Sequence, residues 1–248
     1  PEVVSDLAID RPVYFYDQLG SGRSDRATTM RLYSADHYVE ELAEVLHALQ
    51  LHAYVLLGFS WGAGLVTSFA LEKQPIGLKG LILSGPLLSA PRWMSDQRKN
   101  MKTLPLGVVE TIEACEKKSD FGDAYQEAMM AYYRQYIYRK DPWPASLMNA
   151  LGMLNPDVYL TMWGPSEFTV TGNLKTFDLS GRLHEIAVPV LLTCGQYDEA
   201  RVETVRGFQQ AFRQALVEVL PDSAHMHHLE QPILYKSAVN KFLQSKCL

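Results

Sequence analysis

"LLGFSWGAGLV", residues 56–66, is the stretch on which the fold turns. Apolar or aromatic residues run from Ala53 to Leu57 and stop at Gly58, the pattern of a short buried strand. Ala63 to Glu72 has helical composition, ending near Pro75-Ile76-Gly77. Gly58-Phe59-Ser60-Trp61-Gly62 therefore sits where a strand turns sharply into a helix, the context a G-x-S-x-G nucleophile elbow requires. A serine there is held in a strained conformation, and side chains two residues either side are expected to collide in so tight a turn. The N-terminus of the following helix offers backbone N–H groups and a positive dipole end to a developing oxyanion. By itself the pattern also fits a glycine-rich bend with no chemistry, so the rest of the chain decides.

Outward from this elbow, strand and helix signals alternate. Val13 to Tyr16 is a strand candidate, and Gly20-Ser21-Gly22-Arg23-Ser24 is a loop by composition. Ser34 is placed to cap a helix to about residue 50, with Val39, Leu42, Val45, Leu46 and Leu49 on one face. Leu78 to Ser84 reads as another buried strand. From Ser89 to about Thr176 the pattern becomes helical, with clustered tyrosines (Tyr125, Tyr132, Tyr133, Tyr136, Tyr138) that suit packing better than a ligand cage. A strand returns at Val188–Thr193, then a helix over about 201–214, a strand over 216–220 and a last helix over about 232–245. The expected architecture is α/β: a mostly parallel, doubly wound sheet with an inserted helical cap. Residues 1–88 and 179–248 form the expected core and 89–178 the cap.

The chain has 248 residues, enough for one sizeable α/β domain. It is 47% hydrophobic and 21% charged, ordinary for a soluble protein. A formal net charge of -5 offers no electrostatic case for nucleic acid or an anionic membrane. No run of about eighteen apolar residues suggests a membrane span. The three cysteines, Cys115, Cys194 and Cys247, are far apart and form no C-x-x-C pair, so a reduced, cytoplasmic setting is expected.

An acyl-transfer serine needs a histidine base oriented by a carboxylate. Asp198 follows the strand at 188–194, and His225 follows the strand at 216–220. The order Ser, Asp, His and the position just past strand ends both fit a doubly wound hydrolase. Asp198 also suits a helix N-cap, and Asp222 is a rival acid, though too near His225 in sequence to be preferred. His225 stands in a cluster with His227 and His228, but no second ligand set at zinc-like spacing accompanies it. No metal and no cofactor is expected, and His227 and His228 read as structural or rim residues.

Six segments together resemble the proline iminopeptidase family, α/β-hydrolase serine peptidases that remove an N-terminal residue. They are "VYFYDQLGSGRSD" (13–25), "GFSWG" (58–62), "YRKDPWP" (138–144), "MWGPSEFTVTG" (162–172), "CGQYDEA" (194–200) and "SAHMHHLEQP" (223–232). The resemblance spans nearly the whole chain and is most specific in "DQLGSGRSD" and "GPSEFTVTG". It implies Ser60 as nucleophile, Asp198 as acid, His225 as base and the Trp61 backbone N–H in the oxyanion hole. It further implies that Glu167 and Glu199 hold the substrate's free α-ammonium group by charge-assisted bonds. Without the resemblance, each glutamate would read as a solvated surface acid.

Three departures shape the expectations. The family carries an "HGGPG" loop upstream of "YDQ", supplying one oxyanion donor, and Pro1 lies downstream of that point. The N-terminal strands and the oxyanion loop are therefore expected to be missing, and residues 1–248 to be a segment of a longer protein. Ala63 stands where a second glycine is common after "SWG". Arg201-Val202 stands where Thr-Pro often follows the Asp-Glu pair, which suggests an altered pocket. The expected activity is removal of an N-terminal proline or other small or apolar residue from a short peptide or aminoacyl amide, through an acyl-enzyme. An amino-acid amidase, or an esterase or lactonase with the same triad, remains open, as does an inactive binding module.

Overall fold

Of the runs at 54–59, 78–84, 190–195 and 215–220, the two central ones are buried on both faces, whereas the last alternates half-buried and exposed residues as an edge strand does. The four are β1 (Tyr54–Phe59), β2 (Leu78–Ser84), β3 (Val190–Gly195) and β4 (Ala215–Leu220). In this computed structural model, which describes residues 2–8 and 11–247, they form one sheet in the order β1-β2-β3-β4. Every pairing is parallel, with Phe59 opposite Ser84, Leu81 opposite Val190 and Gly195 opposite Leu220. All carboxyl ends therefore reach the same edge, where open α/β sheets place their sites.

The helices, in chain order, are α1 (Glu2–Ser5), α2 (Ala35–Ala48), α3 (Trp61–Lys73), α4 (Ala90–Met101), α5 (Leu106–Lys118) and α6 (Asp123–Tyr136). They continue with α7 (Ala145–Gly152), α8 (Pro156–Met162), α9 (Val202–Ala211), α10 (His227–Glu230) and α11 (Pro232–Phe242). Leu81, Leu83, Val190 and Leu192 join α2, α3 and α9 in one apolar cluster, whereas Ile82, Leu191 and Leu220 join Tyr235, Val239 and Phe242 of α11 in another. Alternate strand residues thus feed opposite faces of a doubly wound sheet. α3 is buried continuously from Ala63 to Leu71, as a helix apolar all round must be. The Ser34 cap appears as expected, its hydroxyl accepting the His37 N–H at 3.3 Å.

The strand expected at Val13–Tyr16 is not formed, and this is a correction. No described residue pairs with it, and Tyr14 and Phe15 are about half exposed. Apolar composition favours a strand, but the backbone needs a ladder partner to become one. These residues instead border a groove of about 480 Å³ along β1.

Helices α4 to α8 lie between β2 and β3. The segments entering and leaving them run side by side: Leu179 N–H donates to Leu88 O and Ala90 N–H to Phe177 O, both at 2.8 Å. Their core is aromatic, with Tyr125, Tyr132, Tyr136 and Phe168 buried against Met101, Ile112 and Met129.

Candidate active site

β1 ends at Phe59 and α3 begins at Trp61, so Ser60 occupies the turn alone. Its backbone is strained, with φ 51° and ψ −115°. Two hydrogen bonds lock it to the end of β2: Ser60 N–H donates to Ser84 O at 2.9 Å, and Leu87 N–H donates to Ser60 O at 3.2 Å. A Cβ on Gly58 would lie 2.2 Å from the Gly62 carbonyl oxygen, so this glycine is sterically required. The matching expectation for Gly62 fails, because nothing lies within 4 Å of a Cβ built there. The helix turns that position away from its neighbours. Trp61, at the first helical position, has no acceptor for its N–H inside the helix. The Ser60 hydroxyl makes no hydrogen bond among the described residues, a looseness common before substrate binds.

Asp198 and His225 are brought together from the turns after β3 and β4. His225 Nδ1 lies 2.8 Å from Asp198 Oδ1. Backbone N–H groups of Ala200 and Gly195 donate to the Asp198 carboxylate at 2.8 and 3.0 Å. The two turns meet so closely that a Cβ on Gly195 would lie 2.3 Å from Ala224 O. Burial works against the Asp198 anion, but the charge and hydrogen bond of His225, with help from His227, outweigh it. The Asp198 carboxyl is held well below the usual range. Burial likewise works against the His225 cation, and Asp198 with Glu167 outweighs it, so the imidazole is raised above an ordinary histidine.

Asp198 does not cap α9, since Arg201 stands at that N-cap. Asp222 is exposed, at φ 50° in the turn after β4, and takes no part. His227 is fully buried behind the couple, with Nε2 2.9 Å from Thr193 Oγ1 and Nδ1 3.4 Å from Asp198 Oδ2. His228 packs on the Phe59 ring at 4.4 Å, and burial pushes its imidazole down to about 3.

Both glutamates face this couple. Glu199 is only 2% exposed, and its Oε1 lies 3.7 Å from His225 Nε2. Its Oε2 is buried with no hydrogen-bond partner among the described residues. Burial, then the charges of Glu167 and Asp198, push its carboxyl well above the usual range. Glu167 is half-buried in the segment between α8 and β3. It accepts hydrogen bonds from Tyr159 OH at 2.6 Å and from Trp93 Nε1–H at 3.2 Å. Burial raises its carboxyl too, against the opposing pull of Tyr159, His225 and Trp93. A cavity of about 410 Å³ joins Ser60, Trp61, Trp93, Tyr159, Trp163 and Glu167. A half-buried acid, a largely aromatic and aliphatic wall and the strained serine thus line one cavity.

Sequence reasoning missed the residues that aim this site. Gly85, at φ +53°, lies under the imidazole, where a Cβ would come within 2.6 Å of His225 Cε1. A glycine directly after a strand end was the available signal. Trp93 meets His225 edge-on at 5.8 Å while holding Glu167. Gln97 donates to Glu199 O at 3.2 Å and accepts from Tyr132 OH. Neither Trp93 nor Gln97 carries a recognisable motif.

Known proteins are similar to this chain over nearly its whole length. A family model described as alpha/beta hydrolase fold matches residues 1–232. A proline iminopeptidase of Heyndrickxia coagulans is 43% identical over 241 residues, covering 96% of this chain and 83% of the relative. The crystal structure of a Mycobacterium smegmatis proline iminopeptidase superposes with a TM-score of 0.89 at 29% identity, covering 98% of this chain and 84% of that one. The crystal structure of a protein called VinJ superposes with a TM-score of 0.94 at 31% identity, covering 99% and 85%.

Proposed function

This chain belongs to the proline iminopeptidase family of α/β-hydrolases, serine hydrolases of aminopeptidase type, and on that premise we propose how its own residues act. The enzyme removes an N-terminal proline, or another small or apolar residue, from a short peptide or aminoacyl amide. Residues 89–178 act as a cap over a core of 1–88 and 179–248. The observation that carries the reading is the pair of shielded carboxylates, Glu167 and Glu199, beside His225.

The free α-ammonium group of the substrate sits between Glu167 and Glu199. Burial and the neighbouring acids raise the Glu199 carboxyl, and the arriving cation favours its ionised form. Two carboxylates around one cation, partly out of water, give charge-assisted bonds that select a free amine and set the register of the acyl group. His225 Nε2 takes the Ser60 proton as Oγ attacks the carbonyl carbon, and Asp198 stabilises the imidazolium through Nδ1–H. The Trp61 N–H donates to the oxyanion. His225 then protonates the leaving amine, and the C–N bond breaks. Water, deprotonated by the same histidine, hydrolyses the ester to release the amino acid and restore Ser60.

The test compares L-prolyl and L-alanyl chromogenic amides with their N-acetylated forms and a p-nitrophenyl ester, in wild type and Ser60→Ala. Free-amine turnover, lost on acetylation and in Ser60→Ala, is expected. Ester turnover indifferent to the amine would instead leave an esterase.

A further inference from the structure

Glu230 stands outside the groups that touch substrate, yet it is 1% exposed. A buried carboxylate is costly unless its oxygens are satisfied. Here both are. Oε2 accepts the Ala224 N–H at 2.6 Å, and Oε1 accepts the Arg139 N–H at 2.7 Å. Ala224 immediately precedes His225. Arg139 lies just past the end of α6, among the helices between β2 and β3. One carboxylate thus ties the turn carrying the histidine to a segment 91 residues away.

That segment grips the same turn elsewhere. His225 N–H donates to Tyr136 O at 3.0 Å, and Met226 N–H donates to Ile137 O at 2.9 Å. Lys140 Nζ donates to the Glu230 carbonyl. The Arg139 guanidinium lies over the Tyr197 ring, 3.9 Å from its centre, and Tyr197 directly precedes Asp198. Residues 136–140 therefore touch both the base turn and the acid turn.

We propose that Glu230 is a positioning residue that locks the Asp198–His225 couple to the helical layer through residues 136–140. It sets the height of His225 over the elbow, the direction in which Gly85 leaves no slack. The inference rests on His225 being the base of the reaction proposed above. A glutamine at 230 offers one acceptor where two N–H groups converge and turns an N–H₂ toward the other, so the turn must shift. Small misplacements of this kind cost catalysis more than binding, because the ammonium site keeps its own contacts.

The experiment measures steady-state kinetics of Glu230→Gln and Arg139→Ala against wild type, with L-prolyl amide and p-nitrophenyl ester, over a range of pH. Circular dichroism and urea unfolding establish the folded fraction. Arg139 is exposed, so its variant folds even where Glu230→Gln is impaired. Per folded molecule, Glu230→Gln is expected to lower kcat about 10-fold or more on both substrates with KM changed less than about 2-fold. The acidic limb of the pH profile shifts with it as the Asp198–His225 contact loosens. Arg139→Ala is expected to lower kcat about 2–3-fold with KM unchanged. Wild-type kcat and pH profile per folded molecule in both variants would overturn the proposal, leaving Glu230 a stability residue. Absence of Ser60-dependent turnover in wild type would instead sink the reaction on which it rests.

Discussion

At the scale of single residues, the site works by setting charges against burial. Desolvation favours neutral carboxyls at both Glu167 and Glu199, while the hydrogen bonds from Tyr159 and Trp93 favour the ionised form of Glu167. The Glu167 charge also helps raise His225. A base with a raised pKa becomes neutral, and active, only at higher pH than an ordinary histidine. Glu167→Gln removes one negative charge near the imidazole, so the acidic limb of kcat/KM is expected to move to lower pH. An ester without an amine reads this cleanly, because its binding does not need Glu167. A limb that stays in place or moves upward would show that Glu167 and His225 are not coupled. The same substitution is expected to lower kcat/KM on free-amine substrates at least about 10-fold, the loss of one charge-assisted bond.

At the scale of elements, the segment bearing Glu167 has no regular structure of its own from 163 to 172, so its shape comes from neighbours. Arg98 of α4 grips Glu116 of α5 through two bonds of 2.7 and 2.9 Å, and also donates to Phe168 O at 3.3 Å. Thr169 donates to Glu116 at 2.5 Å. Two helices thus hold the residues beside Glu167 with one bidentate pair. Glu116→Gln breaks this clamp without touching the cavity. KM for free-amine substrates is expected to rise several-fold, while the ester kcat stays within about 2-fold. An unchanged KM would mean that Tyr159 and Trp93 hold Glu167 unaided. The α6 tyrosines show a related point. Tyr132 and Tyr136 pack the aromatic core, as their spacing suggests, but Tyr132 also reaches Gln97 behind Glu199, which spacing alone does not reveal.

At the scale of the whole molecule, a parallel sheet packed on both faces supplies the rigid edge on which the turns sit. Leu192, in the middle of β3, has no exposed surface. Leu192→Ala is expected to cost about 2–5 kcal/mol in urea unfolding, with kcat/KM per folded molecule close to wild type. A loss of kcat/KM without loss of stability would mean that β3 transmits packing directly to Asp198. The elbow, the four strands, α2 and α3 were legible in the sequence, because each is written in neighbouring residues. An apolar run, a glycine where backbones touch at Gly58 and a serine cap at Ser34 act within a few positions. Local patterning misled at Val13–Tyr16, where apolar residues lack a ladder partner, and at Gly62, where open space makes the expected clash vanish. Tertiary structure alone decided which acids are buried and what they face. Glu199 and Glu167 each read as a solvated acid by themselves and nothing local singles out Glu230, yet Trp93 reaches Glu167 across 74 residues and Arg139 reaches Glu230 across 91. Charge states, aim and coupling arise from desolvation and from partners distant in the chain, and neither is encoded in any short window of sequence.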